Sequence, residues 1–247
     1  MGLFNFKKKQ PVFTNTADVR TLHKNLDFTA AEQYKLLRAN LDFTLPHGEK
    51  CPIIGVTSSL RGEAKSTTAI NLSYVLAEKG NKVLLIDGDL RLPSIAKKLD
   101  IENNKGISDF LIGDRISIDN SFKSDVHDNW YILPSGKNPA NPSELLGSAR
   151  MKYVLDELKE HFDYIVIDLP PVNLVSDAVS ISSMISGMIV VVREEYCEKK
   201  ELAHCVKQLK LSNVKVLGFV MTGTSLGGGT YGKKYKYYKD NKTEGDD

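Results

Sequence analysis

The chain has 247 residues, of which 41% are hydrophobic and 26% charged, with a formal net charge of +2. This composition is typical of one globular α/β domain with a full core, and the small charge argues against nucleic acid as a partner. No apolar stretch approaches the roughly 20 residues that span a bilayer, and the N-terminal residues lack an uninterrupted apolar run with a cleavage site, so we expect a cytoplasmic location.

The N-terminal segment, residues 1–28, mixes lysine, asparagine, threonine and isolated apolar residues without a sustained period. This pattern predicts an extended or poorly ordered arm. Helical spacing of leucines begins after it and ends at Pro46, and Thr29 and Glu32 have the spacing of a capping box. The sequence therefore predicts an amphipathic helix at the start of a domain that spans residues 29–224.

A phosphate-binding loop is predicted between the first strand and the next helix. Residues 52–56 have the pattern of a buried parallel strand, and residues 67–80 have that of a helix. In such loops, backbone N–H groups and the helix N-terminus surround phosphate oxygens, while a lysine and a hydroxyl contact phosphate and Mg²⁺. The predicted nucleotide-binding residues are Ser59, Leu60, Arg61, Gly62, Glu63, Ala64, Lys65, Ser66 and Thr67.

Two positions depart from the usual pattern of this loop, which is Gly, four residues, then Gly-Lys-Ser/Thr. Ser59 replaces the first glycine, and Ala64 stands immediately before Lys65. A methyl group at Ala64 crowds the nucleotide or restricts a backbone angle, unless the loop has ordinary backbone angles there.

Carboxylates end two later apolar runs. Asp87 and Asp89 follow the run 83–86, and Asp168 ends another run just before two prolines. Because parallel strands present their carboxyl ends at one edge of a sheet, we expect these acids beside the phosphate loop. Asp168 is a candidate Mg²⁺ ligand together with Ser66. The alternatives are a solvated turn for the first pair and a helix cap for Asp168.

The remaining segments alternate between helical and strand patterns. This alternation indicates crossover connections and an α/β fold with a mainly parallel sheet covered by helices on both faces. The predicted elements are helices after Asn141 or Ser143, at 148–161, 176–186 and 199–211, and strands at 187–192 and 214–221.

The C-terminal segment, 225–247, changes abruptly in composition and is predicted to be a flexible tail. Glycines at 227–229 precede a tyrosine cluster whose spacing fits neither a helix nor a strand, so we expect these side chains to be accessible. The cluster consists of Tyr231, Tyr235, Tyr237 and Tyr238. It suits either polyanion binding or phosphorylation, and the acidic residues that end the tail favour phosphorylation.

These motifs together resemble the bacterial tyrosine kinases, and more narrowly the separate cytoplasmic kinases of Gram-positive bacteria that regulate capsule or exopolysaccharide synthesis. The segments that carry the resemblance are the loop at 57–67, Ile-Asp-Gly-Asp-Leu-Arg at 86–91, Asn-Pro-Ser-Glu-Leu-Leu-Gly at 141–147, Ile-Val-Ile-Asp-Leu-Pro-Pro at 165–171 and the tyrosine tail. The first, second and fourth correspond to the family's Walker A, A′ and B motifs. The resemblance implies a P-loop NTPase-like fold.

The resemblance also implies an activity and roles for the site residues. The activity is ATP- and Mg²⁺-dependent autophosphorylation of the tail tyrosines, in the site of a neighbouring subunit. Lys65 would contact the β- and γ-phosphates, Ser66 and Asp168 would organise Mg²⁺, and Asp87 and Asp89 would complete the metal and acceptor site. Asp87 is the expected base for the incoming phenol.

Partners are implied in the same way. The resemblance implies a ring oligomer held together partly through a helix with the pattern Glu-x-x-Arg-x-x-Arg. The residues of this chain at those three positions are Glu32, Lys35 and Arg38. Lys35 lacks the forked geometry of arginine, which weakens that contact. The family further implies a membrane-anchored activator protein that recruits the kinase to the inner face of the membrane, and a cognate tyrosine phosphatase.

Two rival functions are compatible with the motifs. A switch ATPase of the partitioning or division-site kind has a similar sheet, but it uses a signature lysine where this chain has Leu60. A kinase-like subunit disabled by Ala64 would have a tail modified by another enzyme.

Recognition of the nucleotide base is expected to differ from that in relatives. Residues 218–224 lack the Asn-Lys pair that relatives often have near the adenine.

Overall fold

The computed structural model describes residues 23–46, 48–115 and 122–224. Most of the predicted arm and the whole tail with its tyrosine cluster lie outside these residues, so the domain limits remain predictions. The 3₁₀ helix His23–Asn25 lies within the segment that was predicted as an arm.

In the described part of the chain, six parallel strands form a single sheet in the order β3-β2-β4-β1-β5-β6. They are β1 (Ile53–Ser58), β2 (Val83–Asp87), β3 (Trp130–Leu133), β4 (Tyr164–Asp168), β5 (Gly187–Arg193) and β6 (Val216–Thr222). Every residue of β1 and β2 is buried, as expected for strands covered on both faces. The predicted parallel α/β fold is confirmed.

Helices cover both faces of this sheet. They are α1 (Phe28–Thr44), α2 (Lys65–Glu78), α3 (Ile95–Leu99), α4 (Ile107–Ile112), α5 (Pro142–Leu146), α6 (Ala149–Lys159), α7 (Asp177–Ser180) and α8 (Lys199–Leu211). Ile54 of β1 belongs to a core with α1 and α2, whereas the adjacent Ile53 belongs to a second core with α4, α6 and α8. Side chains that alternate across the strands therefore build two cores.

Some local predictions were wrong. Thr29 does not cap α1, because the Asp27 side chain accepts a hydrogen bond from the Ala30 N–H and the helix begins at Phe28. The helix predicted at 176–186 is instead the short α7 followed by the 3₁₀ helix Ser182–Met184. The edge strand β3 was not predicted, since its four residues are too few to show a period.

Candidate functional site

The phosphate-loop residues connect β1 to α2, and their shape is fixed from within. The Ser58 hydroxyl donates to the Leu60 carbonyl at 2.7 Å, and the Leu60 N–H donates to the Glu63 carboxylate at 2.7 Å. Glu63 is only 1% exposed, and its other carboxylate oxygen accepts from the Arg193 N–H at the end of β5. The Glu63 side chain therefore braces the loop against the neighbouring strand, a role that its local sequence did not indicate.

Ala64 has a left-handed backbone, with φ of +68°, at the N-cap of α2. An L-residue in this region is strained by roughly 1–2 kcal/mol, which glycine avoids. The loop nevertheless leads directly into the helix, whose first backbone bond runs from the Thr68 N–H to the Ala64 carbonyl at 2.9 Å. Alanine at position 64 therefore strains one backbone angle, but the loop keeps its shape.

Replacing Ala64 with glycine is expected to raise the free energy of unfolding by roughly 0.5–1 kcal/mol, the relieved strain less the entropy of a more flexible unfolded chain. Urea unfolding followed by far-UV circular dichroism measures the change. Ala203→Gly, at an exposed position inside α8, is the matched control and should lower the value by about 1 kcal/mol. An A64G protein no more stable than wild type contradicts the strain.

Lys65 joins the loop to the carboxylates that end β2 and β4. Its Nζ atom lies 2.8 Å from Asp89 Oδ2, 3.4 Å from Asp168 Oδ1 and 3.5 Å from Ser66 Oγ. Asp87 and Asp168 are register partners at the carboxyl ends of their strands. The sheet therefore brings together the five predicted residues of the transfer site, while their roles stay predictions.

Backbone N–H groups orient these carboxylates. Asp87 Oδ2 accepts from the N–H groups of Ser94 and Ile95 at 3.0 Å each, at the start of α3. Asp89 Oδ1 accepts from the Leu92 N–H at 3.1 Å. Asp87 is fully buried, so the alternative of a solvated turn is wrong.

Gly88 allows the two strands to meet closely at this point. Its N–H donates to the Asp168 carbonyl at 2.9 Å. A Cβ at this position would lie 2.8 Å from the Cγ2 of Ile167 and 2.9 Å from the Asp168 carbonyl oxygen. Only glycine therefore fits between the acids without displacing β4.

Burial dominates the electrostatics of the site. Burial, together with the neighbouring Asp168 charge, raises the pKa of Asp87 to about 7. Burial likewise raises the pKa of Asp168, against the opposing effect of Lys65. For Lys65, burial lowers the pKa, but the charges of Asp168 and Asp89 outweigh it and the net pKa is raised. The site therefore holds the Lys65 ammonium beside two carboxyl groups, Asp87 and Asp168, whose raised pKa values favour the protonated form.

The donor set fits a magnesium ion that is shared with a phosphate ligand. Asp87 Oδ1 and Asp168 Oδ2 are buried and have no hydrogen-bond partner among the residues that the structure describes. The residues described hold no group of three or more His, Cys, Asp or Glu side chains arranged to bind a metal alone. Mg²⁺ usually takes one or two carboxylates together with waters and substrate phosphates, so Asp168, Asp87 and the Ser66 hydroxyl suit it.

The Asn-Pro-Ser-Glu-Leu-Leu-Gly motif contributes a contact that sequence reasoning missed. Arg91, just beyond β2, donates from Nε and Nη2 to the two carboxylate oxygens of Asp177, at 2.9 and 3.1 Å. Ser143 of the motif also donates to Asp177, which is completely buried. The fork fastens the turn that carries Asp89 to α5 and α7. Arg91 and Ser143 were visible in motifs, but nothing local marked Asp177 as their partner.

The residues predicted to form an oligomer contact lie along α1. Lys35 pairs with Glu32 at 2.9 Å within the helix. Arg38 donates to the backbone carbonyl of Val75 on α2. Both basic side chains thus have contacts inside the chain, and an intersubunit role for this helix stays a prediction.

No helix within residues 23–46, 48–115 or 122–224 combines the length and apolar character needed to cross a membrane.

Known proteins resemble this chain in sequence and in structure. The profile of a family described as an AAA domain matches residues 51–217. The tyrosine-protein kinase YwqD of Bacillus subtilis (strain 168) is 34% identical over 234 residues, which cover 94% of this chain and 90% of that protein.

Solved structures also share this fold. The kinase domain of the Escherichia coli tyrosine kinase ETK has a TM-score of 0.74 at 26% identity, covering 90% of this chain and 87% of that one. The chimerical protein CapA2B2 also has a TM-score of 0.74, at 29% identity, covering 84% of this chain and 90% of that one. With its phosphate loop, its three converging carboxylates and these relatives, the chain belongs to the family of bacterial tyrosine kinases.

Proposed function

We propose that this chain is an ATP-dependent protein-tyrosine kinase that phosphorylates its own C-terminal tyrosine cluster. The observation that carries the proposal is the contact of Lys65 with Asp89 and Asp168 at the mouth of the phosphate loop. A cation that can pass from carboxylates to phosphate, beside a carboxylate that can take a proton, suits phosphoryl transfer to a hydroxyl. The name of the relative YwqD supports tyrosine as the acceptor.

The chain's own residues perform four tasks in this reaction. The loop N–H groups bind the phosphates, and Lys65 turns from Asp89 to the β- and γ-phosphates. Asp87 Oδ1, which has no hydrogen-bond partner among the described residues, accepts the phenolic proton, and Mg²⁺ is then left to Ser66 and Asp168. The fork between Arg91 and Asp177 holds the turn after β2 in place. When bound by Ser66 and Asp168, Mg²⁺ supplies positive charge to the phosphates.

The γ-phosphoryl group passes from ATP to the tyrosine oxygen. The tyrosine oxygen forms a bond to the γ-phosphorus, and the bond from that phosphorus to the bridging oxygen of ADP breaks. Asp87 suits the role of base, because its raised pKa of about 7 lies near the working pH. At that pKa an appreciable fraction of Asp87 is ionised before transfer and can accept the phenolic proton. The protonated carboxyl group then retains this proton after transfer.

The cellular role follows from the family resemblance. The kinase regulates capsular or exopolysaccharide synthesis, is recruited to the inner face of the membrane by a membrane-anchored activator, and is reset by a tyrosine phosphatase. It forms a homo-oligomer, closed as a ring, through the α1 positions Glu32, Lys35 and Arg38. The chimeric composition of CapA2B2 supports a working association of such a kinase with a second polypeptide.

Neither rival function gains support from a specific contact. Ala64 strains the loop but leaves Lys65 within 2.8 Å of Asp89, which argues against a disabled subunit. For a switch ATPase of the partitioning or division-site kind, Leu60 stands where the signature lysine belongs, and its backbone N–H is held by Glu63.

Phosphosite mapping tests the proposal. The full chain is incubated with ATP·Mg²⁺ and the cytoplasmic segment of the activator, and phosphotyrosine is located by mass spectrometry. Phosphate is expected on the cluster Tyr231, Tyr235, Tyr237 and Tyr238, and is lost when all four are changed to phenylalanine. A chain that binds ADP·Mg²⁺ but forms no phosphotyrosine overturns the proposal.

Transfer between subunits is tested by mixing two variants. One carries Lys65→Met with an intact tail, and the other carries an intact site with the four tail tyrosines changed to phenylalanine. Phosphate on the tail of the Lys65→Met chain supports transfer in trans. Its absence from the mixture, when wild type alone is labelled, overturns that part of the proposal.

A further inference from the structure

Tyr196 lies against the phosphate loop on the side away from the carboxylates. It is in the turn after β5, where the Arg193 guanidinium stands 5.3 Å from the centre of its ring. Arg193 also donates from Nη1 to the Gly62 carbonyl at 3.2 Å. A Cβ at Gly62 would lie only 3.3 Å from the Tyr196 hydroxyl oxygen. The aromatic ring, the guanidinium and the loop thus form one connected surface.

This surface is open and has no part in the core. Tyr196 is 49% exposed, and it belongs to neither hydrophobic core. Arg193 is held in place from two directions, since its backbone N–H donates to Glu63 and its side chain lies against the turn after β6. A Cβ at Gly223 in that turn would lie 3.3 Å from the Arg193 Cγ. The guanidinium is therefore a fixed support for the ring.

The strand order gives the direction in which a bound nucleotide extends. The phosphoryl group to be transferred must lie beside Asp87, Asp89 and Asp168, which end β2 and β4 on one side of β1. Ligands of open α/β sheets lie across the carboxyl ends of the strands. The nucleoside must then extend to the other side of β1, towards the ends of β5 and β6. Tyr196 and Arg193 are the exposed aromatic and cationic side chains beside the loop there.

We propose that Tyr196 and Arg193 form the platform on which the purine base of the nucleotide stacks. An aromatic ring and a planar guanidinium both present flat faces suited to a base, and the guanidinium adds a cation–π attraction. Stacking of this kind is tolerant of base identity, so the platform explains how the chain holds a base without the Asn-Lys pair. The inference rests on the proposed nucleotide site but is independent of tyrosine transfer.

The test compares ligands that share phosphates but differ in the base. Isothermal titration of Tyr196→Leu with ADP·Mg²⁺ is expected to give a Kd raised roughly 10-fold over wild type. Tripolyphosphate·Mg²⁺, which has no base, should bind wild type and variant alike. Tyr196→Phe keeps the ring and should bind ADP as wild type does. Because Tyr196 is exposed, these variants are expected to fold.

Tyr153 provides a matched control on α6. It is 50% exposed, and the Arg150 guanidinium also stands 5.3 Å from the centre of its ring. Tyr153→Leu should leave ADP affinity unchanged, which together with the Tyr196 results supports the platform. Unchanged ADP affinity in Tyr196→Leu, or an equal loss for ADP and tripolyphosphate, overturns it. A wild-type chain that fails to bind ADP overturns the nucleotide site itself.

Discussion

Lys65→Met is expected to lower the rate of tyrosine phosphorylation at least about 100-fold, the usual cost of removing one preorganised charge from a transfer site. Methionine fills the space of the lysine stem but cannot offset charge on the phosphates. Because Asp87 and Asp168 are buried and their pKa values are raised, they can take up protons in the variant, and the chain should still fold. The measurement is phosphotyrosine formed per minute at saturating ATP, with far-UV circular dichroism to check the fold.

The control for this variant removes a lysine from an ordinary surface pair. Lys50 lies 3.0 Å from Glu160, and both side chains are well exposed. Surface pairs of this kind contribute about 0–1 kcal/mol to stability, so Lys50→Met should keep wild-type activity. A Lys65→Met protein that retains more than about a tenth of wild-type activity, at a site where one charge is worth roughly 100-fold, would exclude the proposed role.

Asp87→Asn is expected to have opposite effects on activity and stability. Transfer should slow by about 10²–10⁴-fold, because asparagine cannot accept the phenolic proton. The folded state should become more stable at about pH 8, because the variant removes a buried charge that has one unpaired oxygen. Asparagine can still accept the hydrogen bonds from Ser94 and Ile95, so the loop geometry is preserved.

The stability effect has a defined dependence on pH. In the folded state the pKa of Asp87 is about 7, whereas an unfolded aspartate titrates near about pH 4. The stability contributed by the raised pKa is therefore complete below about pH 4, and is lost as pH rises through about 7. The advantage of Asp87→Asn over wild type should consequently grow over this window.

Thermal unfolding without nucleotide at about pH 5 and about pH 8 measures this difference. Asp156→Asn is the control, since Asp156 is exposed and pairs with Lys152 on the surface of α6. Asp156→Asn should change the thermal stability only slightly at both pH values. An Asp87→Asn protein that gains no stability over wild type between the lower and the higher pH would show that Asp87 is ionised without cost.

The transfer site was predictable because its residues follow strong local patterns. Asp87 and Asp168 directly follow apolar runs, Asp89 comes two residues after Asp87, and a parallel sheet brings such strand ends together. Lys65 and Ser66 stand at the first two positions of α2, two residues before the predicted start of that helix. Each of these placements depends on a short stretch of chain and on one general rule of α/β folds.

The supporting contacts were not predictable, because they join residues far apart in the chain. The bond from Arg91 to Asp177 and that from the Arg193 N–H to Glu63 depend on which helices and strands become neighbours. The spacing of residues in the sequence does not indicate such long-range contacts. The prediction of the residue that caps α1 was wrong for a different reason. Asp27 and Thr29 have equally suitable side chains, and only the backbone conformation decides which of them is the cap.

The position of β1 in the sheet has a consequence for the order in which the protein is made. Its neighbours are β4 and β5, which lie in the second half of the chain. During synthesis the phosphate-loop strand therefore emerges long before either partner, and contacts between such distant segments form slowly. A nascent chain that ends before Gly187 has no partner strand on one side of β1. Nucleotide binding should consequently appear late on the ribosome, only after nearly the whole domain has emerged.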